Sequence, residues 1–407
     1  MKPKTFMLIA GEASGDLLAA ELVEVLKGQL EETQWPPTED VQPLHNTGLT
    51  PRFFGAGGPQ MKAVGVELAF DMTEHSVIGL SDALKNYFKF KRLFNQLFKL
   101  ALERQPDAII CVDFPGFNRR FAHAIKKYVR SRRDWFHDWN PKIIQYVSPQ
   151  VWASREGRAH QMARDYDLVL SIFPFEKDWY AARVPEFRVE FVGHPMVGRS
   201  QKSEVRSQKS GSRQVLLLPG SRPDELRRHL PILIAALRLI RAQLPQARAK
   251  MVLPSDSLVQ QTKSFGVPPD LEIQVGNLPE ALAEATVAIA STGTVTMECA
   301  FFGVPTVAIY KTSWSTYQIG KRIVKVKWLA MPNILAGEEI FPEFIQNDAT
   351  PENISRAALE FLNDEQRRNK VKTKLAEVVA KLGGAGASGR AAEAIVILLN
   401  ASPERKS

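Results

Sequence analysis

The sequence has few cysteines and no long apolar run, and each shortage excludes a class of protein. Cys111 and Cys299 are the only cysteines among 407 residues, so no disulfide framework is available and a reducing compartment is expected. Residues 6–10 are too few to form the apolar core of a signal peptide. The longest weakly charged stretch, 285–310, carries Glu298 and two turn motifs, so it predicts strand, loop and helix rather than a membrane span. The sequence therefore predicts a globular, cytoplasmic protein.

The sequence also lacks the marks of a nucleic-acid-binding protein, although it is basic. A net charge of +9 and a pI near 9.4 favour anionic partners. No zinc-ligand spacing, RNP-type aromatic motif or helix-turn-helix signature accompanies this charge, so nucleic acid is not predicted as a partner.

The most informative basic segment spans residues 80–103 and combines helical apolar spacing with a crowd of cations. Its cations are Lys85, Lys89, Lys91, Arg92 and Lys99. Such a helix either lies on an anionic bilayer or simply packs its apolar stripe on a sheet, and the sequence leaves both interpretations open. A second basic and aromatic cluster consists of Lys321, Arg322, Lys325, Lys327 and Trp328.

Apolar runs alternate with helical stretches twice along the chain, which predicts two α/β domains with parallel sheets. Residues 1–198 form the first Rossmann-like domain, with a Pro-rich insertion at 31–51. A polar linker, 199–213, repeats RSQKS and carries no apolar anchor. Residues 214–380 form the second domain, and a helix within 381–407 closes the chain. Two such domains facing each other are expected to form a central ligand cleft.

Two loops of the first domain follow predicted strands and carry carboxylates. GEASGD, residues 11–16, lacks the glycine spacing of a dinucleotide loop, so it is either a ligand loop or a tight turn whose Asp16 favours the first helical turn. Asp113 of DFPGFN ends a strongly apolar strand. It is either a helix cap or a general base whose pKa burial raises toward the working pH.

Two loops of the second domain have the composition of a nucleotide diphosphate pocket. Gly220, Ser221 and Arg222 end one strand, where a guanidinium suits phosphate oxygens. Small residues at 291–294 end another strand and start a helix, and Glu298 lies about one turn later, where a carboxylate can accept hydrogen bonds from ribose hydroxyls.

Further polar residues follow strands in the first domain. YVSPQVWASR contains Ser148, Gln150 and Trp152, and FVGHPM contains His194. His194 either contacts a ligand or packs at the hinge, and the sequence favours neither.

The chain resembles the lipid-A-disaccharide synthase family over nearly its whole length. The motifs that carry the resemblance occur in order: GEASGD, DFPGFN, YVSPQVWA, FPFEKDWY, FVGHP, LLLPGSRPDE, STGTVTMECA and MPNILAGEEI. The resemblance implies a two-domain GT-B glycosyltransferase without cofactor or metal. It implies inverting transfer of 2,3-diacylglucosamine from UDP-2,3-diacylglucosamine to 2,3-diacylglucosamine 1-phosphate, which forms the β-1,6-linked lipid A disaccharide 1-phosphate and UDP.

The resemblance also implies a role for each motif residue. Asp113 would deprotonate the acceptor 6-hydroxyl. The donor side would consist of Gly220, Ser221, Arg222, Gly293, Thr294, Glu298 and Asn333, and the acceptor side of Ser14, Asp16, Asn118, Ser148, Gln150 and Trp152. Two positions depart from the family pattern: Gly116 stands where many members have a second aspartate, and Ser154 replaces the last tryptophan of VWAW.

The lipid substrates imply peripheral association with the cytosolic face of the inner membrane through the cations of residues 80–103. Two alternatives differ in class: another UDP-sugar enzyme of the same fold, such as an epimerase or a transferase for a different acceptor, and a membrane-associated binder without catalysis. An epimerase would not need the basic aromatic segment, and a binder would not need Asp113. The sequence leaves the acyl chain length and the formation of a homodimer open.

Overall fold

The computed structural model of the protein describes residues 3–33, 50–73, 83–132, 137–198 and 213–401. Two compact units divide the chain. The first comprises residues 1–195 and 383–407, and the second comprises residues 196–382. Most of the predicted insertion at 31–51 and nearly all of the predicted linker at 199–213 lie outside the described residues.

The first unit is a parallel sheet covered by helices. Its strands are β1 (Thr5–Ala10), β2 (Arg52–Gly57), β3 (Glu67–Asp71), β4 (Ala108–Val112), β5 (Lys142–Tyr146), β6 (Leu168–Ser171) and β7 (Val189–Phe191). Its helices are α1 (Ala13–Thr33), α2 (Pro59–Ala63), α3 (Ala83–Arg104), α4 (Pro115–Arg132), α5 (Val151–Ser154), α6 (Arg158–Asp165) and α7 (Pro174–Ala181). The strand order is β3-β2-β1-β4-β5-β6-β7, with every pair parallel.

The second unit repeats this architecture. Its strands are β8 (Gln214–Leu218), β9 (Arg248–Leu253), β10 (Glu272–Val275), β11 (Val287–Ser291), β12 (Thr306–Tyr310) and β13 (Glu343–Ile345). Its helices are α8 (Pro223–Gln243), α9 (Asp256–Thr262), α10 (Leu278–Glu284), α11 (Thr294–Phe301), α12 (Trp314–Ile323), α13 (Met331–Ala336), α14 (Pro351–Asn363) and α15 (Glu365–Ala380), with short 3₁₀ turns at Lys263–Phe265 and Gln346–Asp348. The order is β10-β9-β8-β11-β12-β13, again all parallel.

The central strands are apolar on both faces because helices cover both faces of each sheet. All residues of β4 and β11 are buried, and so is β1 from Phe6 to its end. Helix starts follow local chemistry: α8 begins with a proline and two acids, which suit the first turn of a helix. The two sheets therefore form the cores of the two units. The loops at their carboxyl edges lie outside these cores and can carry functional residues.

The last helix of the chain, α16 (Ala387–Asn400), belongs to the first unit. It packs against α1, and the Arg390 Nε donates to the carbonyl of Val192 at 2.8 Å. The chain thus returns to its first unit after completing the second, which the sequence did not indicate.

Candidate functional site

Each sheet has one point where the strand order reverses, and two of the predicted site loops lie there in each sheet. In the first unit β1 and β4 are neighbours, so GEASGD and Asp113 follow adjacent strands. In the second unit β8 and β11 are neighbours, so the loop at 219–222 lies beside the loop at 292–294. Open parallel sheets bind ligands in the crevice at such reversal points. The fold therefore brings together motifs that are about a hundred and about seventy residues apart in the chain.

Gly11 of GEASGD leaves room for the turn that bears Asp113. A Cβ atom at Gly11 would clash with the Phe114 ring. A Cβ atom at Gly15 would lie 3.5 Å from the carbonyl oxygen of Val112 and 3.8 Å from the Asp113 Cβ, which are ordinary van der Waals distances, so the space there accepts a side chain. Crowding against Phe114 is therefore a reason for glycine at position 11 that differs from phosphate binding.

The turn after β4 is strained at the residue predicted to be the base. Asp113 and Phe114 both have φ of 48°, a left-handed conformation that costs energy in residues with a side chain. The Asp113 N–H still donates to the Tyr146 carbonyl at 2.9 Å, so the turn remains attached to β5. A strained conformation persists only where the surroundings hold it in place.

Two buried amides supply that support. The Asn118 Nδ2 donates to the Asp113 carbonyl at 2.7 Å, and the Gln145 Nε2 donates to the same oxygen at 3.2 Å. Both side chains are fully buried. Asn118, predicted to contact the acceptor, therefore uses its amide group to hold the Asp113 turn. Gln145 was missed by the sequence analysis because a glutamine inside a strand carries no recognisable signal.

The environment of Asp113 suits a proton acceptor. Burial raises the pKa of this carboxyl from its usual 3.8 to about 6, and repulsion by the Glu12 carboxylate adds to the shift. A hydrogen bond from the Phe114 backbone partly offsets both effects. A pKa near the working pH is what general base catalysis requires, since the group must be ionised and still basic.

The predicted acceptor residues divide into exposed and internal ones. Ser14 and Gln150 are exposed. Asp16 is buried and accepts hydrogen bonds from the backbone N–H groups of Gly58 at 2.7 Å and Gln60 at 2.9 Å. These donors belong to the start of α2, so the Asp16 carboxylate anchors α1 to that helix.

Trp152 and Ser148 belong to a buried polar cluster beneath the loop after β5. The Trp152 Nε1 donates to the Glu176 Oε1 at 2.9 Å, and the Ser148 Oγ lies 3.3 Å from the Tyr180 hydroxyl. Burial raises the pKa of Glu176 to about 7. Glu176 was not predicted as a site residue, although its position in FPFEKDWY, after a strand, offered a signal. Ser154 ends α5 and is half-buried.

His194 packs inside the first unit. Its ring is buried and lies 5.8 Å from the Phe173 ring, measured between centroids. This contact agrees with the packing interpretation of His194, while the ligand interpretation stays a prediction.

The loop after β8 is organised by Glu225. Gly220 has φ of 120°, and a Cβ atom there would lie 2.4 Å from the Glu225 Oε2. The Ser221 N–H donates to that same oxygen at 3.0 Å. Arg222 precedes α8; its guanidinium is 72% exposed and lies 3.9 Å from the other Glu225 oxygen. The cation is therefore held loosely and open to an anionic ligand.

The loop after β11 opens onto a helix start. Gly293 has φ of 134°, and space for a side chain exists around it, so the backbone conformation rather than crowding requires glycine. Gly293 and Thr294 are exposed, and Thr296 closes the first turn of α11 by donating to the Gly293 carbonyl at 2.7 Å. Glu298 lies half-buried one turn further along.

Asn333, predicted to meet the donor, is fully buried and internally bonded. Its Nδ2 donates to the Phe341 carbonyl and to the Glu343 Oε1, both at 2.8 Å. Its Oδ1 accepts from the backbone N–H groups of Ile340 and Phe341, also at 2.8 Å. The structure therefore places Asn333 as a brace of the loop between α13 and β13.

His229 connects two strand ends of the second unit and was missed by the sequence analysis. It is fully buried on α8; its Nδ1 donates to the Pro219 carbonyl at 2.7 Å, and its Nε2 accepts the Lys311 N–H at 3.0 Å. Burial lowers the pKa of this imidazole, which keeps it neutral. A histidine on the apolar face of a helix gives no functional signal in the sequence.

Helix α3 combines the two interpretations offered for residues 80–103. Leu93, Leu97 and Ala101 are buried against the sheet, whereas Phe88 is 67% exposed. The cations Lys89, Lys91, Arg92 and Lys99 are exposed, and the Lys85 side chain lies outside the described residues. In the described part of the chain, every helix is too short or too polar to cross a bilayer, and no group of three or more candidate metal ligands comes together.

Comparison with known proteins identifies the family of the chain. Residues 6–396 match the family model described as lipid-A-disaccharide synthetase. The chain belongs to this family. It is 34% identical to the lipid-A-disaccharide synthase of Trichlorobacter lovleyi, with 98% of this chain and 99% of the relative covered. It is 35% identical to that of Nitrosococcus oceani, with 96% and 95% covered. The resemblance found in the motifs is confirmed, and the protein is a glycosyltransferase.

Solved structures show the same fold. A Staphylococcus aureus MnaA–UDP co-structure matches with a TM-score of 0.62 and 13% identity over 99% of both chains. The calicheamicin glycosyltransferase CalG4 matches with a TM-score of 0.58 and 16% identity, covering 99% of this chain and all of that one. The predicted GT-B class with two Rossmann-like parallel-sheet domains is confirmed.

Proposed function

We propose that this chain moves 2,3-diacylglucosamine from UDP to 2,3-diacylglucosamine 1-phosphate, with Asp113 as the general base. The family membership supports the reaction, and the observation that carries the role of Asp113 is its raised pKa at the strand-order reversal of the first sheet. The products are the β-1,6-linked lipid A disaccharide 1-phosphate and UDP.

The chemistry is a single displacement. The Asp113 carboxylate accepts the proton of the acceptor 6-hydroxyl while that oxygen attacks the anomeric carbon from the face opposite UDP. The anomeric carbon–oxygen bond to the diphosphate breaks, and its electron pair leaves with UDP. Because the attack comes from the opposite face, the configuration at the anomeric carbon inverts. Gly116 is exposed and supplies no second carboxylate, and Glu12 is the acid whose charge acts on Asp113.

The leaving diphosphate is stabilised by the loops at the reversal of the second sheet. Arg222 offers an exposed guanidinium, and Gly220 and Ser221 lie at the same strand end. Gly293 and Thr294 present the start of α11 to phosphate oxygens, and Glu298 accepts from the ribose hydroxyls. Fixed cationic and N–H groups of this kind offset developing charge without a metal ion.

The lipid substrates require contact with a bilayer, for which α3 is suited. Its inner face is anchored in the sheet, while Phe88 and the neighbouring cations point to solvent. We assign this face to peripheral contact with the cytosolic leaflet of the inner membrane. Substituting Lys89, Lys91 and Arg92 together by glutamine should weaken binding to anionic vesicles without changing UDP affinity.

The decisive assay for the reaction is UDP release from UDP-2,3-diacylglucosamine, with and without 2,3-diacylglucosamine 1-phosphate. Transfer predicts that release depends on the acceptor and disappears in Asp113→Asn, which retains UDP binding. The matched control is Asp178→Asn, which changes an exposed aspartate on α7 and should leave turnover unchanged. Full activity in Asp113→Asn, or acceptor-independent UDP release, would contradict the proposal.

A further inference from the structure

The described side chains of the segment between β12 and α13 of the second unit are poorly buried. Between residues 310 and 329, every side chain that the structure describes is half-buried or exposed. Helix α12 lies in this segment. Helices of this length are not stable in water alone and normally bury an apolar stripe. An outer partner that covers the exposed side chains of the segment would add to their burial.

The segment exposes large apolar side chains. Trp314, the first residue of α12, is 75% exposed, and Val324, just beyond its end, is 37% exposed. The Lys327 Nζ lies 4.4 Å from the centroid of the Trp328 ring. Exposed aromatic rings beside lysines are typical of surfaces that sit at the headgroup level of a membrane.

The charge of the segment has a single sign. No aspartate or glutamate occurs from residue 299 to residue 337. Lys321, Arg322, Lys325 and Lys327 are exposed in the same stretch. Lys321 follows Trp314 by seven residues, so the two occupy one face of α12. The surface is therefore complementary to a layer of anionic phosphates with apolar groups beneath it.

The segment starts at the carboxyl edge of the second sheet, where the loops assigned to the UDP donor lie. β12 ends at Tyr310, and the next residue, Lys311, donates its N–H to His229. His229 in turn bonds Pro219, directly before the loop of Arg222. A lipid contact here would hold the bilayer near the loops to which the donor's UDP group is assigned.

We propose that the α12 surface, defined as Trp314, Lys321, Arg322, Val324, Lys325 and Lys327, binds an anionic lipid bilayer. The second unit then has a lipid contact of its own, separate from α3 on the first unit. This inference rests on the proposed function in one respect. Because the proposed substrates are carried in a lipid bilayer, a bilayer rather than another polyanion is the expected partner. The partner is the lipid surface itself. The basic side chains would contact its headgroup phosphates, and the apolar side chains would contact its interfacial apolar layer.

The test uses the full chain and vesicles of phosphatidylglycerol with phosphatidylcholine. The variant is Trp314→Ser, Lys321→Gln and Arg322→Gln combined; all three positions are exposed, so folding should be kept. The matched control is Leu239→Ser, Arg238→Gln and Lys370→Gln, which removes the same numbers of exposed apolar and basic residues from α8 and α15. Co-sedimentation should show vesicle affinity reduced about tenfold or more in the variant and little changed in the control.

UDP affinity, measured by calorimetry, should stay unchanged in the variant, which separates this inference from the donor site. The inference would be overturned if the variant bound vesicles as well as the control does. This holds even if the variant of Lys89, Lys91 and Arg92 loses vesicle binding and so supports the role of α3. An equal loss of affinity for a single-stranded oligonucleotide would also overturn it, because the surface would then be a general polyanion site. A loss of affinity that is confined to vesicles containing phosphatidylglycerol supports the inference.

Discussion

Asp113→Asn should make the folded protein more stable at neutral pH while it abolishes transfer. The ionised carboxylate is half-buried, and its loss of solvent and the repulsion by Glu12 both disfavour its charge in the native state. Asparagine keeps the size of the side chain, carries no charge, and tolerates the left-handed conformation found at this position. The substitution therefore removes an electrostatic cost and adds little strain.

The size and sign of the effect follow from the pKa shift. The pKa of Asp113 rises from 3.8 to about 6 on folding, and one pKa unit corresponds to about 1.4 kcal/mol, so ionised Asp113 costs about 3 kcal/mol. Below the unfolded pKa, the carboxyl is protonated in both states and the cost vanishes. The cost grows as pH rises between the two values and is complete above the folded pKa.

Urea denaturation of the parent and of Asp113→Asn measures this difference. The free energy of unfolding of the variant should exceed that of the parent by about 3 kcal/mol at pH 8, with the gap closing as the pH falls through 6 toward 4. Asp178→Asn, exposed on α7, should show no comparable gap. A gap that does not change with pH, or a variant less stable than the parent at pH 8, would refute the reasoning.

The remaining predictions concern the donor loop and the braces around the site. Arg222→Ala should weaken UDP binding by about thirtyfold in calorimetry, since a charge-assisted bond contributes about 2 kcal/mol, whereas Arg227→Ala, at an exposed position on the following helix α8, should not. Asn118→Ala should lower the free energy of unfolding by about 2 kcal/mol and reduce kcat, because the Asp113 carbonyl loses its 2.7 Å donor. Asn369→Ala, at an exposed position on α15, should leave kcat unchanged and the free energy of unfolding within about 0.5 kcal/mol of the parent. His229→Phe should raise the KM for the UDP donor about tenfold in steady-state kinetics, since the strand-end loops lose both hydrogen bonds.

Each of these predictions has an outcome that contradicts it. Equal UDP affinity in the two arginine variants would remove Arg222 from the donor site. An unchanged kcat in Asn118→Ala, despite reduced stability, would limit this residue to folding. A lower thermal midpoint in His229→Phe with an unchanged KM would mean that His229 supports the fold without positioning the loops.

The sequence was sufficient for the architecture and for a hypothesis about where the site lies. Short apolar runs alternating with helical stretches are a local property, and parallel sheets follow from that alternation. Residues directly after such strands share the carboxyl edge of a sheet, so Asp113, Arg222 and Gly293 could be selected without coordinates. The family motifs then pointed to the reaction.

The tertiary structure decided which partner each polar side chain binds. Asp16 binds backbone N–H groups more than forty residues away, and Asn333 binds a loop that closes back on its own helix. Whether such a group meets a ligand or an internal partner depends on which backbone donors the fold leaves without one. No local pattern records that. His229 escaped notice for the same reason, since its partners come from two strand ends.

The division of α3 illustrates the remaining limit. Helical spacing correctly marked an amphipathic helix. Leu97 is buried, whereas Phe88, nine residues earlier and therefore on the opposite side of the helix, is exposed. Periodicity reports which residues share a face, and the sequence determined that much by itself. Which face becomes buried depends on the neighbouring elements that pack against the helix, which only the folded chain decides.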